Sequence, residues 1–238
     1  MAAPKRFFAE RIGGEMLLPA EQSRHAKNVL RLTEGEEVTL FDGSGREYTA
    51  VVAEIGREGV RVRVVRESAS DREPRVDAAL LVGALKGDKT ELVVQKATEL
   101  GVNRIGVFSS RYCAAYMNEN KLERLARVAR EAAKQCLRAT VPEVVYYATL
   151  EEALRAEAGC EEKLFACEFL PAGGGELPAA GGSVCAVVGS EGGFSEEEYS
   201  LALSLGYRGV SLGRRILRAE TAAIALLSVV MYRAGELS

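Results

Sequence analysis

The chain has 238 residues, 47% of them apolar, and a formal net charge of −3, apolar content that can bury the cores of one large or two modest domains and that sets disorder aside. Its apolar runs are broken by charges well short of the roughly 20 residues of a bilayer span, and its start lacks the apolar region of a secretory leader, so no membrane partner and a cytoplasmic location are expected. Cys113, Cys136, Cys160, Cys167 and Cys185 form no CxxC pair and His25 is the one histidine, so a disulfide framework, a metal site and a Cys–His nucleophile fall away.

Residues 1–70 predict a small β-rich unit. The stretch "AEQSRHAKNVLRL" (20–32) places Ala26, Val29 and Leu30 on one side of a short helix, with His25, Lys27 and Arg31 on or beside its exposed side. "EEVTLF" (36–41), "REYTAVVAEI" (46–55) and "VRVRVVRE" (60–67) are β-branched runs joined by the turn sequences "DGSG" and "GREG". In the third run Val60, Val62 and Val64 alternate with Arg61 and Arg63, which predicts one buried and one basic face. "SASDREPR" (68–75) has the composition of a linker and marks a domain boundary.

From Val76 the pattern changes to alternating strands and helices, giving a second domain over 75–238. Strands are expected at "DAALLVGAL", "NRIGVFSS", "PEVVYYA", "EKLFACEF", "SVCAVVG" and "RGVSLG". Helices are expected near residues 88–100, 118–138, 150–158, 195–205 and 219–234. The alternation predicts an α/β fold with a parallel sheet covered on both faces, and ligands in such sheets bind beyond the carboxyl ends of the strands. Charge is uneven along the chain: residues 71–140 hold 13 basic and 9 acidic side chains, residues 141–238 hold 7 and 14. That distribution permits a basic face for nucleic acid, and a solvated helix face has the same composition.

Two loops carry the candidate chemistry. "GSEGGFSEEE" (189–198) follows an apolar strand and opens a helix through a Ser195–Glu198 capping box. Gly192 and Gly193 allow a tight turn and close approach of a ligand to the backbone. The phosphate-loop pattern and the dinucleotide fingerprint are both absent, and Glu191 repels phosphate. A nucleoside with a positive centre and no phosphate suits the loop, and S-adenosylmethionine (AdoMet) has that chemistry; an ordinary strand-to-helix turn is the alternative. The second loop, "SLGRRILRAETAAIALLSVVMYRA" (211–234), puts Arg214, Arg215 and Arg218 at the start of a helix, where the dipole makes each cation unfavourable by on the order of 0.3–1 kcal/mol. Such charges require partners, supplied by Glu191 and Glu220 or by an RNA phosphate or base oxygen. The helix that follows is apolar nearly all round, through Ile224, Leu226, Leu227, Val229, Val230 and Met231, so burial on more than one side is expected.

These two loops, with "RFF" (6–8), "HAKNVLRL", "KGDKTELVVQKATELGV" and "REAAKQCLR", resemble the RsmE family of 16S ribosomal RNA uridine methyltransferases, in order and across essentially the whole chain. The resemblance implies a SPOUT-type α/β domain with a C-terminal trefoil knot, an N-terminal PUA-like β-barrel, and a homodimer with AdoMet bound at the knot. It also implies methylation of ring nitrogen N3 of one uridine in the 16S rRNA of the 30S subunit. The implied cofactor residues are Glu168, Val188, Gly189, Glu191, Gly192, Gly193, Leu212, Gly213, Ile216, Leu217 and Arg218. Ser190, Arg214 and Ala219 depart from the family, which commonly has proline, proline and threonine there.

The second domain holds no histidine, so a cation that stabilises the uridine anion is the expected substitute for an imidazole base. Arg218 is the first candidate, then Arg6 and Arg138. RNA is expected on Lys5, Arg6, Arg24, His25, Lys27 and Arg31, gripped through backbone and shape. Two other classes stand against this reading: a non-catalytic ribosome-assembly RNA-binding protein, which has no need of the two loops, and a nucleotide-dependent oxidoreductase, which needs the missing fingerprint.

Overall fold

The computed structural model describes residues 5–168, 170 and 182–237. They form two compact units, one holding the described residues up to Glu73 together with Ala133–Val141, the other holding Pro74–Ala132 and the described residues from Pro142 onward.

The first unit contains β1 (Arg6–Phe8), β2 (Glu15–Leu17), α1 (Ala20–Asn28), β3 (Glu37–Phe41), β4 (Arg46–Ile55) and β5 (Val60–Ala69). The strands form one sheet in the order β1-β3-β4-β5-β2, with β1 parallel to β3 and the other pairs antiparallel. The edge strands β1 and β2 are three residues each and do not pair with each other, so the expected barrel is an open half-barrel. Val60 and Val62 turn inward onto Phe7, Leu18, Ala26, Leu40 and Val52. The opposite face is less basic than its sequence, because Arg61 lies 3.7 Å from Glu54 and 3.9 Å from Glu15.

Two expectations are corrected here. β5 runs two residues into the supposed linker, since Ser68 and Ala69 pair with Glu47 and Arg46. Val29 is exposed, not part of the apolar side of α1. The helix stops at Asn28, Arg31 takes a left-handed φ of 50°, and the Leu32 N–H bonds back to the Ala26 carbonyl, so Leu32 enters the core where Val29 was expected.

The second unit contains β6 (Asp77–Gly83), α2 (Lys89–Glu99), β7 (Arg104–Phe108), most of α3 (Glu119–Cys136), β8 (Glu143–Tyr147), α4 (Leu150–Ala156), β9 (Glu162–Ala166), β10 (Ser183–Val188), α5 (Glu196–Ser204), β11 (Arg208–Val210) and α6 (Ala219–Arg233). All its strand pairs are parallel, in the order β11-β9-β10-β6-β7-β8. Phe169, the last residue of the expected strand "EKLFACEF", lies outside the described residues. Alternate side chains go to opposite faces: Ala79, Leu81, Cys185 and Val187 pack with α4 and α5, while α2 and α6 pack together with α6 on β10 and β6. Because β10 sits between β9 and β6, the loops leaving these strands converge at one end of the sheet, where open parallel sheets bind ligands.

Candidate active site

The loops after β9, β10 and β11, with the starts of α2 and α6, enclose a cavity of about 610 Å³, within the roughly 300–1,000 Å³ typical of small-molecule sites. Glu168, Val188, Gly189, Glu191, Gly193, Leu212, Gly213, Ile216, Leu217 and Arg218 all line it. Gly192 does not. Its missing side chain serves another contact, because a Cβ there would lie 2.5 Å from the Cβ of Tyr112.

The glycine loop is held from both ends. Phe194 is buried with its ring 4.1 Å from that of Phe165, and the Ser195 hydroxyl and Glu198 carboxylate complete the expected capping box of α5. Between these anchors the Gly193 N–H donates to the Ser190 carbonyl at 3.0 Å. Gly193 has a φ of +68°, which favours glycine, and a Cβ there would displace the Glu168 carboxylate. Ser190, one of the departures from the family, is buried with its hydroxyl unpaired among the described residues.

Glu191 has a partner that sequence reasoning did not identify. Its Oε1 accepts from the Lys86 backbone N–H and from Lys89 Nζ, each at 3.1 Å. Burial pushes its carboxyl up, but these hydrogen bonds and the Lys89 charge outweigh burial and hold it below the ordinary carboxylate value. Lys89 Nζ also stands 3.9 Å from Glu220 Oε2 in the first turn of α6. The only signal for Lys89 was the "KGDK" block, which carries no periodicity.

Both carboxylates expected to partner the arginine loop therefore turn to Lys89. Arg214, Arg215 and Arg218 line the cavity, are exposed, and make no ion pair among the described residues. Arg218 is the N-cap of α6 and makes no side-chain capping bond. Ile216, between them, is 91% exposed.

The other two catalytic candidates meet each other, not the cavity. Arg6 is 4% exposed, stacks 4.5 Å from the Phe41 ring centre, and donates to Glu47 and to the Arg138 carbonyl, both at 2.8 Å. Arg138 is 3% exposed and donates to Glu73 Oε2 through Nε (3.1 Å) and Nη2 (2.9 Å), while Glu73 Oε1 accepts from the Ala139 and Thr140 N–H groups. All these partners lie within the first unit. Among the expected RNA contacts, Arg24 and Arg31 are exposed, His25 is half-buried, Lys5 pairs with Glu36 at 3.0 Å, and Lys27 donates to the Gly56 carbonyl. No cluster of metal-ligating side chains occurs among the described residues, and no described helix is long and apolar enough to cross a membrane.

A family model described as an RNA methyltransferase domain matches residues 72–231, and one described as an RNA methyltransferase PUA domain matches residues 18–65. A Mycobacterium tuberculosis protein named ribosomal RNA small subunit methyltransferase E is 32% identical over 92% of this chain and 86% of its own. The chain belongs to this methyltransferase family. Two solved structures agree with the assignment. A Legionella pneumophila protein in complex with the bound cofactor SAM superposes with a TM-score of 0.85 at 32% identity, covering 96% of this chain and 97% of the other. The ribosomal RNA small subunit methyltransferase E of Neisseria gonorrhoeae, bound to S-adenosyl methionine, gives 0.84 at 29% identity over 95% and 96%. Strands β3 and β4 and most of β5 fall within the residues matched by the PUA model, and the residues lining the cavity fall within those matched by the methyltransferase model.

Proposed function

We propose that this protein is an AdoMet-dependent methyltransferase that modifies ring nitrogen N3 of one uridine in the 16S rRNA of the small ribosomal subunit. The observation that carries the reading is that the glycine loop and the arginine loop, distant in sequence, line one cavity at the switch point of the parallel sheet. Its volume and its glycine cradle fit a nucleoside cofactor, and its glycine loop has no phosphate-binding pattern. Family relatives bound to S-adenosyl methionine support the same ligand.

Glu168, Val188, Gly189, Glu191, Gly193, Leu212, Gly213, Ile216 and Leu217 are the residues that would hold AdoMet, which supplies the methyl group when bound. Arg218 is the proposed catalytic residue. As an exposed cation without a carboxylate partner among the described residues, it is available to the negative charge that develops on uracil when the N3 proton leaves. Arg214 and Arg215 offer the same availability to flanking phosphates. Arg6 pairs with Glu47 and donates to the Arg138 carbonyl while its Nε has no hydrogen-bond partner among the described residues, and Arg138 pairs with Glu73, so we assign both to holding residues 133–141 within the first unit. Arg24 and Arg31 keep their place as RNA contacts on that unit.

The reading includes a homodimer. Val229 and Tyr232 on α6 are 38% and 66% exposed, and a second copy is the proposed cover. Leu227 is buried within its own unit at 1% exposure, so the informative substitution is Tyr232→Glu, expected to yield a monomer by sedimentation. The reading also includes the trefoil knot in the C-terminal loops and a cytoplasmic location, where ribosomal subunits are the substrate. The test is calorimetric titration with AdoMet, followed by transfer from labelled AdoMet to 30S subunits and to naked 16S rRNA. Saturable AdoMet binding with transfer is expected; RNA binding without AdoMet binding would favour the assembly-protein alternative.

A further inference from the structure

Of the charged groups at the cavity wall, Lys89 and Glu220 have no part in the methyl-transfer reading. Lys89 at the start of α2, Glu191 in the glycine loop and Glu220 in the first turn of α6 converge there, with Lys89 Nζ 3.1 Å from one carboxylate and 3.9 Å from the other. Glu191 and Glu220 side chains are 28% and 13% exposed. One ammonium serves both, and Glu220 Oε2 is buried with no hydrogen-bond partner among the described residues. Glu220 does not itself line the cavity, but its neighbours Ala219 and Ala222 do, as do Lys89 and Glu191. The three cavity arginines are exposed, so solvent and salt screen them more than they screen part-buried groups.

We propose that the Glu191–Lys89–Glu220 triad is the charge-reading element of the cavity: two carboxylates sharing one ammonium leave one negative charge uncompensated, so this wall favours the sulfonium form of the cofactor over its neutral thioether product. Binding of AdoMet here rests on the function proposed above. The action is through the field and does not require contact with Glu220. Its consequence is that loss of the methyl group also removes the cationic charge this wall prefers, which favours exchange of S-adenosylhomocysteine for fresh AdoMet.

The test compares AdoMet and S-adenosylhomocysteine affinities by calorimetry in the full-length parent, Lys89→Met and Glu220→Gln. A through-space charge effect changes the ratio in opposite directions. Glu220→Gln removes negative charge and lowers the preference for AdoMet on the order of tenfold, the scale of one unit charge about 10 Å away at an effective dielectric near 20. Lys89→Met removes positive charge and raises the preference by a similar factor. Lys89→Arg keeps the charge and leaves the ratio at the parental value. If Glu220→Gln melts too low to titrate, Glu191→Gln makes the same change in charge and lowers the ratio in its place. A purely structural role moves both ligands together with an unchanged ratio in every variant, and that result overturns the proposal. A parent that binds neither ligand overturns the cofactor reading itself, which is a distinguishable failure.

Discussion

Gly193→Ala tests the cavity most sharply, because two of its effects can be separated. At a φ of +68° a Cβ makes the left-handed conformation less favourable by about 1–2 kcal/mol, and a domain of roughly 150–250 residues loses about 2–4 °C of Tm per kcal/mol. Strain alone therefore lowers the midpoint by about 2–8 °C. The new Cβ also overlaps the Glu168 carboxylate, the free end of a flexible side chain, which moves at little cost in stability. The carboxylate then takes a new place in a cavity it already lines, and AdoMet affinity falls by about tenfold or more, or about 1.4 kcal/mol. Gly35→Ala is the control, with a φ of +86° and nothing within 4 Å of its Cβ, so it incurs strain without displacing Glu168. Thermal melts and AdoMet titrations of both variants are the assay. If both melt lower while AdoMet binds each as it binds the parent, the argument that Gly193 keeps Glu168 out of the ligand's space is refuted.

Three further outcomes are expected. Arg218→Ala lowers single-turnover methyl transfer by about 100-fold or more while AdoMet affinity and melting stay near parental, because Arg218 makes no ion pair among the described residues; a matching loss of AdoMet binding would contradict the catalytic assignment. Arg138→Met destabilises the first unit by about 3–5 kcal/mol, the scale for breaking a buried ion pair, seen by calorimetry as a lower transition, with AdoMet affinity retained. Acid weakens the Glu191 pin with a definite sign: its folded value is lowered, so the contribution is complete above the ordinary carboxylate value and is lost as pH falls below it. AdoMet affinity should stay flat from neutrality down to about pH 5, fall at lower pH, and lose that limb in Glu191→Gln.

The two loops were legible because their chemistry is local: glycines, a capping box and clustered arginines all fall within a few residues of one another. The parallel sheet was legible because its strands are apolar runs separated by helix-period segments. What escaped depends on contacts between distant residues. Lys89 and Glu191 are 102 positions apart, and nothing about either residue type announces the other. Arg6 and Arg138 are 132 positions apart and were named as catalytic candidates beside the family-like blocks "RFF" and "REAAKQCLR"; their contact with each other and their burial against Glu47, Glu73 and the Phe41 ring have no local signal. The return of residues 133–141 to the first unit follows from the same network and cannot be read from composition. The exposure of Val29 follows from a left-handed Arg31, a conformation that non-glycine residues seldom adopt. Strands β1 and β2 were missed because three residues each, "RFF" and "EML", are too few to show a period.

The central claim is methyl transfer to one uridine nitrogen, and the most direct measurement is the chemical identity and position of the methylated nucleoside. After incubation of the full-length protein with labelled AdoMet and unmethylated 30S subunits, the 16S rRNA is digested and its nucleosides are separated and identified by mass. The account predicts label in 3-methyluridine alone, at one position and close to one methyl group per subunit, and no label with Arg218→Ala over the same interval. Label in another nucleoside, label spread over many positions, or no transfer despite saturating AdoMet would contradict it.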